Sequence, residues 1–215
     1  MNVIAINGSP RKKWNTAMLL EKAIEGAKSR GAETELVHLY DLNYKGCISC
    51  FACKIRGGKS YGKCAVKDDL TPIFERIEKS DGIVMGSPIY FGAVTGEMRS
   101  FLERLLFPYG TYTIPRQSLF PKKISGGFIY TMNLTEEQMK EYGYNSHLDL
   151  TEKAFVMRIG RCESLYSFDT WQFDDYSKVV ADMFDQDRKA KWRREVFPQD
   201  LGKAFDMGAR LAKKN

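Results

Sequence analysis

Histidine and long apolar runs are the two features that this sequence has little of. The 215 residues include only two histidines, His38 and His147. We interpret His38 as a packed or edge residue of a strand and His147 as a solvated residue, rather than as catalytic bases. No apolar run approaches the ~20 residues needed to span a bilayer, and Met1-Asn2 leads into a strand pattern without a cleavable leader. We therefore expect no membrane segment and a cytoplasmic location.

Several familiar nucleotide-binding and catalytic motifs are also missing. A Walker A loop requires Gly-Lys where Lys13 and Trp14 stand, and Ser9-Pro10 replaces the second glycine of a dinucleotide fingerprint. Neither Gly-Ser-Pro stretch, at 8–10 or at 86–88, supplies the Gly-x-Ser-x-Gly elbow of serine hydrolases. No nucleic-acid-binding motif accompanies the net charge of +6, so a phosphate-bearing small ligand is the simpler partner.

The stretch from Asn7 to Leu20 is the one around which the rest of the chain is organised. It follows the apolar strand pattern at 3–6 and opens into a helical pattern. Asn15 or Thr16 is the expected N-cap, and the first free amides of the helix would point back into the loop. With nearby hydroxyls and Arg11 they predict an anion site for a terminal phosphate. A plain turn with solvated basic residues is the alternative.

Apolar runs separated by helical patterns indicate an α/β fold. The strand patterns lie at 3–6, 35–40, 82–86, 128–132 and 162–168. Strand, helix and strand within forty residues predict right-handed parallel units. We expect one domain over 1–215, in which 170–215 is a C-terminal extension that ends in an amphipathic helix.

A second loop candidate follows the third strand pattern. Gly86-Ser87-Pro88 repeats the tripeptide at 8–10, and loops at the carboxyl ends of neighbouring parallel strands form one site. The chain continues as Ile89-Tyr90-Phe91-Gly92, a flat aromatic stretch that suits a planar ring whose edge reaches backbone amides. An ordinary core position for Tyr90 and Phe91 is the alternative.

These motifs together resemble a known family. Gly-Ser-Pro-Arg-Lys-x-x-Asn-Thr at 8–16 and Gly-Ser-Pro-Ile-Tyr-Phe-Gly at 86–92, with Cys-x2-Cys-x2-Cys between them, resemble the NADPH-dependent FMN reductases of flavodoxin-like fold, including their iron-sulfur flavoprotein branch. The resemblance covers Asn2 to about Phe107. It implies a doubly wound, five-stranded parallel sheet in the order 2-1-3-4-5 and an FMN-dependent NAD(P)H oxidoreductase with a small-molecule electron acceptor.

The same resemblance implies roles for particular residues. The family's first loop holds the FMN phosphate, which carries over to Ser9, Arg11, Asn15 and Thr16. Its second loop lines the isoalloxazine ring, which carries over to Pro88, Ile89, Tyr90, Phe91 and Gly92. No protein acid or base is implied, because the cofactor performs the chemistry. An electron carrier that docks a ferredoxin-like partner and a binding module without turnover are the competing hypotheses.

Four of the five cysteines, Cys47, Cys50, Cys53 and Cys64, lie in one glycine- and lysine-rich stretch. The first three are spaced so that their sulfurs surround a common point, as in iron-sulfur sites and less often zinc sites. Cys64 follows after ten intervening residues, a wider gap than the iron-sulfur flavoproteins have. A 4Fe-4S cluster, a thiol or disulfide role and inert thiols all stay open, and Cys162 is interpreted as a small buried residue.

The stretch at 170–198 carries six large aromatic residues among charges. They are Trp171, Phe173, Tyr176, Phe184, Trp192 and Phe197. A closed five-stranded domain has no obvious place for them, and large aromatics favour interfaces. We expect a homodimer in which this segment packs on the other subunit near its flavin, where Arg188, Lys189, Arg193 and Arg194 would meet the nucleotide's phosphates.

Overall fold

The computed structural model describes residues 1–213 and shows parallel strands alternating with helices. The strands are β1 (Asn2–Asn7), β2 (Glu33–His38), β3 (Gly82–Tyr90), β4 (Ala93–Val94), β5 (Ser125–Thr131) and β6 (Cys162–Ser167). The helices are α1 (Asn15–Lys28), α2 (Leu70–Lys79), α3 (Gly96–Leu106), α4 (Glu136–Glu141), α5 (Tyr144–Arg158), α6 (Gln186–Glu195) and α7 (Phe197–Leu211). Among residues 1–213, no helix combines the length and the apolar character needed to cross a bilayer.

The sheet has the strand order β2-β1-β3-β5-β6, and all five of these strands run parallel. The short β4 pairs antiparallel with the end of β3 and lies outside this order. Counting only the parallel strands, the order is 2-1-3-4-5, which confirms the predicted doubly wound sheet. The chain order reverses between β1 and β3, and their carboxyl ends therefore define the switch point.

Helices cover both faces of the sheet because its central strands are apolar on both sides. Leu19, Leu20 and Ala23 of α1 join Met207 and Leu211 of α7 against one face. The opposite face is covered by α2, α3 and α5, whose buried residues include Ile73, Phe101 and Phe155. The last helix of the chain is thus one of two that close the first face.

Several predicted boundaries are wrong: β5 begins at Ser125 rather than at 128, and three other differences have identifiable causes. The second strand lies at 33–38, two residues earlier than predicted, and Leu39–Asp41 forms a 3-10 turn. The third strand does not end at Gly86 but continues to Tyr90, because Pro88 stays in register with Thr131 and β4 pairs with the strand's last residues. The N-cap of α1 is Trp14, not Asn15 or Thr16, and no side chain caps this helix.

The aromatic segment at 170–198 packs on its own chain. Tyr176 and Phe197 are buried, and the other four aromatics are partly covered. Trp171 and Phe173 both contact the Tyr176 ring, with ring centroids 4.5 and 5.1 Å away. The aromatics therefore need no second subunit to cover them, which removes the physical argument that the sequence offered for a dimer. The most exposed apolar residues of this segment are instead Val180 and Met183.

Candidate functional site

The two Gly-Ser-Pro segments lie side by side at the switch point. Asn7 is in register with Gly86, and the Gly8 amide donates to the Gly86 carbonyl at 2.8 Å. Thr95 joins them from the start of α3: its hydroxyl donates to the Gly8 carbonyl at 2.7 Å, and its amide donates to Ser87 Oγ at 3.0 Å. The structure thus brings together the two loops that the sequence predicted to be neighbours.

The loop at 8–16 has buried polar groups at the start of α1. Ser9, Asn15 and Thr16 are all buried. The Ser9 hydroxyl accepts from the Arg11 amide at 3.1 Å, which folds the loop back toward the helix. The first helical hydrogen bond runs from the Met18 amide to the Trp14 carbonyl, and the amides before it meet no capping side chain. An uncapped, buried helix start of this kind has the donors and the dipole to bind an anion.

Residues from the C-terminal part of the chain cover this loop. The Trp171 carbonyl accepts from Trp14 Nε1 at 2.9 Å and from Asn15 Nδ2 at 2.7 Å. Arg193 donates to Asn15 Oδ1 at 2.8 Å, so both ends of the Asn15 amide are held. We call residues 170–193 the covering segment. The sequence did not predict the contacts between this segment and the loop. Its only signal was the high density of aromatic residues in this part of the chain.

Arg11 is directed toward the covering segment. Its guanidinium lies 3.8 Å from the centre of the Trp14 ring and donates to the Gln172 carbonyl. The side chain is exposed, so the charge stands at the mouth of the loop rather than at its base. Thr16 points the other way, and its hydroxyl shares a hydrogen bond of 2.7 Å with Thr131 at the end of β5.

The second loop is a β-hairpin with an aromatic tip. Tyr90 pairs with Ala93, and Phe91 and Gly92 between them have φ values of 51° and 80°. Two positive φ values fit a type I′ turn, in which glycine is favoured at one of the two positions. Tyr90 is 46% exposed and Phe91 101% exposed, so the ordinary core position is excluded for both. Pro88 and Ile89 are partly covered at the base of the hairpin.

A buried charged cluster lies at the carboxyl ends of β5 and β6. Lys189 of α6 is fully buried, and its Nζ lies 2.6 Å from Asp169 Oδ1 and donates to Asn133 Oδ1. Arg188 reaches the second carboxylate oxygen of Asp169 at 3.2 Å. Burial lowers the pKa of Lys189, and the Asp169 carboxylate acts against that shift. Because Asn133 accepts with its oxygen, its amide hydrogens point away from Lys189.

All four clustered cysteines line one small cavity. Cys53 is buried, Cys64 is partly covered, and Cys47 and Cys50 are exposed. The cavity volume is about 20 Å³, room for a single water. Burial raises the pKa of the Cys53 thiol. Within residues 1–213, no three His, Cys, Asp or Glu side chains are arranged as a metal site.

Arg104 holds the cysteine loop from α3. It is 1% exposed, and its Nε donates to Cys64 Sγ at 3.4 Å. The same guanidinium forms a two-point ion pair with Asp68 and donates to the carbonyls of Lys45 and Val66. Burial acts to lower the pKa of Arg104, but the bonds to Asp68 and Cys64 outweigh it and raise the pKa. A permanent positive charge therefore lies beside the sulfurs.

A parallel sheet of this order, with an uncapped helix start and an aromatic hairpin at the switch point, defines the flavodoxin-like class of α/β proteins. The family model for NADPH-dependent FMN reductase matches residues 1–143. The chain belongs to that family.

Curated relatives and solved structures agree with this assignment. An iron-sulfur flavoprotein from Archaeoglobus fulgidus is 39% identical over 127 residues, covering 59% of this chain and 60% of the relative. Another from Methanocaldococcus jannaschii is 38% identical over 104 residues, covering 48% and 51%. The chain thus matches about half to three fifths of these relatives' length. The structure of an NAD(P)H:quinone oxidoreductase from Methanothermobacter marburgensis superposes with a TM-score of 0.73 at 16% identity, covering 98% of both chains, which shows the same fold.

Proposed function

We propose that this protein is an FMN-dependent NAD(P)H oxidoreductase. The observation that carries the proposal is the uncapped, buried start of α1 beside the exposed aromatic hairpin at the switch point. The first feature suits a phosphate and the second a planar ring, and FMN contains both. Family membership supports the same cofactor and electron donor. FMN would accept a hydride from NAD(P)H and deliver the electrons to a small-molecule acceptor.

The residues of the loop at 8–16 and of the aromatic hairpin have different roles in this proposal. The Ser9 hydroxyl and the first amides of α1, among them that of Thr16, would donate to the phosphate, while Asn15 is held in place by the covering segment. Arg11 adds a positive charge at the mouth of the loop. The hairpin residues Pro88, Ile89, Tyr90, Phe91 and Gly92 support the ring. We expect no protein acid or base to be essential.

The phosphate assignment is tested by titrating cofactor-free protein with FMN and with riboflavin. Arg11→Ala should weaken FMN binding by roughly 10- to 150-fold, because a charge-assisted hydrogen bond contributes ~1.5–3 kcal/mol. Riboflavin, which lacks the phosphate, should bind wild type and variant alike. Lys22→Ala is the control, since Lys22 pairs with Glu25 on the exposed side of α1. An FMN affinity that survives Arg11→Ala would put the phosphate elsewhere.

A second candidate function is that of an iron-sulfur flavoprotein that passes electrons to a ferredoxin-like partner. The four cysteines that line one cavity beside the Arg104 charge provide the number and type of donors that a 4Fe-4S cluster requires. The curated relatives named iron-sulfur flavoprotein support this assignment. The cavity holds only one water, so the loop at 47–64 has to widen to admit a cluster.

Iron and sulfide analysis of anaerobically purified protein tests the cluster. Cys47→Ser should remove iron and leave FMN affinity unchanged, because the cysteine loop and the phosphate loop are held by separate contacts. Cys162→Ser is the matched control: burial raises the pKa of Cys162 to about 11, so it remains a thiol at neutral pH. Wild-type protein that contains no iron would exclude this second function and leave the first untouched.

A further inference from the structure

A cavity of about 580 Å³ opens between the cysteine loop, α3 and α5. Its volume lies in the range of small-molecule sites. Most of its wall is apolar, with Leu102 and Leu106 on one side and Leu148 and Ala154 on the other. None of the residues that we assign to FMN lines it. The cavity borders the aromatic hairpin through Ala93 and Val94 of β4, but the proposed function does not use it.

One wall of the cavity is a row of aromatic rings. Phe51 meets Phe107 edge to face at 6.0 Å, and Phe107 meets Tyr112 edge to face at 6.2 Å. Lys54 fixes this wall, since its Nζ lies 4.5 Å from the centre of the Phe107 ring and donates to the carbonyls of Phe107 and Gly110. Such a wall offers contact area to a flat aromatic ligand.

The wall of the cavity also presents a cation without an anionic partner among the described residues. Arg158, at the end of α5, donates from one terminal nitrogen to the Ala154 carbonyl at 3.0 Å, and its Nε is buried with no acceptor among the described residues. No carboxylate of residues 1–213 forms an ion pair with it. Burial and the nearby Arg116 charge lower the pKa of Arg158. The cavity's other arginine, Arg99, is paired with Glu103.

The cavity also shares its wall with the cysteine loop. Cys47 and Phe51 line both this cavity and the small cavity between the four cysteines, as do Glu103 and Phe107. The Cys47 amide is held by Glu103 at 3.3 Å, while its thiol is exposed. A ligand here would therefore cover the outer side of Cys47.

We propose that this cavity binds a small aromatic carboxylate, with its ring against Phe51, Phe107 and Tyr112 and its anionic group on Arg158. The row of rings accounts for an aromatic ligand, and the guanidinium without an anionic partner accounts for a carboxylate, to which its terminal nitrogens can donate. Ligand binding at this site is measured without an electron donor, so its failure is distinguishable from a failure of the proposed function.

Calorimetric titration with naphthalene-2-carboxylate and with the neutral naphthalene-2-carboxamide tests the proposal without any electron donor. Wild type should bind the carboxylate more tightly, and Arg158→Met should weaken it at least tenfold while leaving the carboxamide unchanged. Arg30→Met, an exposed arginine outside the cavity, is the matched control. Equal binding of the carboxylate by wild type and Arg158→Met would overturn the assignment.

Two further measurements guard against a folding defect. Ala154→Phe fills the cavity from α5, keeps the backbone carbonyl that accepts from Arg158, and should abolish binding of both probes, with circular dichroism confirming an intact fold. Bound naphthalene-2-carboxylate should also slow the alkylation of Cys47 by iodoacetamide in iron-free protein. Binding that persists in Ala154→Phe, or a Cys47 rate that does not respond to saturating ligand, would place the probe outside this cavity.

Discussion

At the scale of single residues, the contact between Lys189 and Asp169 contributes most clearly to specifying the structure. Asp169 is 2% exposed and has a φ of 47°, a left-handed conformation that few residues adopt apart from glycine and asparagine. Its amide donates to the Leu134 carbonyl, which connects the ends of β5 and β6. The lysine thus joins α6 to two loops at the edge of the sheet where the cofactor is proposed to bind.

Replacing this lysine should destabilise the fold more than removing the whole pair. Lys189→Met leaves a buried carboxylate with only the half-exposed Arg188, and we expect a loss of roughly 3 kcal/mol in the free energy of unfolding. The double variant Lys189→Met, Asp169→Asn should recover part of that loss, because asparagine tolerates the same φ. Urea denaturation measures the free energy of unfolding of the single and of the double variant. A single variant no less stable than the double one would show that the pair is not coupled.

The sequence could show the roles of few individual residues in advance. Thr95 and Thr135 are residue types that favour helix starts, and each side chain accepts from the backbone amide three residues on. The burial of Lys189 could not be predicted, because a lysine in a stretch of basic residues is indistinguishable from a solvated one. The same holds for Arg193, whose partner Asn15 lies 178 residues away in the chain.

At the scale of elements, α1 and α7 approach so closely that their backbones touch. A Cβ added to Gly208 would lie 1.7 Å from the Ala23 carbonyl oxygen, and one added to Gly26 would lie 1.9 Å from the Phe205 carbonyl oxygen. Only glycine permits this approach. It also fixes the position of α1, whose first turn forms the proposed anion site.

Two glycines of α7 provide a matched test of this contact. Gly208→Val should destabilise the protein by several kcal/mol, since a Cβ there overlaps the backbone of α1. Gly202→Ala lies on the same helix with open space around it and should instead stabilise by roughly 0.5–1 kcal/mol through helix propensity. Thermal unfolding, monitored by circular dichroism, compares the midpoints of the two variants. Similar midpoints for the two variants would mean that the helices are not in close contact.

Most elements were predictable because the apolar periodicity is strong, whereas their ends were not. The sheet order followed from the resemblance and agrees with the structure. The extension of β3 to Tyr90 was missed because Gly86-Ser87-Pro88 looks like a loop, and the pairing with Thr131 and β4 that keeps it extended is not local. The Trp14 N-cap was missed because tryptophan offers no oxygen to cap a helix.

At the scale of the whole molecule, we propose that the protein forms a homodimer through the covering segment. Its aromatics are covered, but Val180 is 98% exposed and Met183 84% exposed. Changing both to aspartate should convert a dimer to the monomer mass of 24.6 kDa in light scattering, because buried charges at an interface cost free energy. Met157→Asp, at another exposed apolar position, should leave the mass unchanged. A wild-type monomer would refute the proposal.

The hydrogen bonds between the loop at 8–16 and the covering segment have a consequence for how the protein is made. Asn15 and its partner Trp171 are 156 residues apart. At a synthesis rate of ~5–20 residues per second, Trp171 emerges from the ribosome roughly 8–30 s after Asn15. Throughout that interval a nascent chain has the proposed anion site without the segment that covers it. Stable cofactor loading is therefore expected to follow release from the ribosome, and a stalled, truncated chain should exchange its flavin freely.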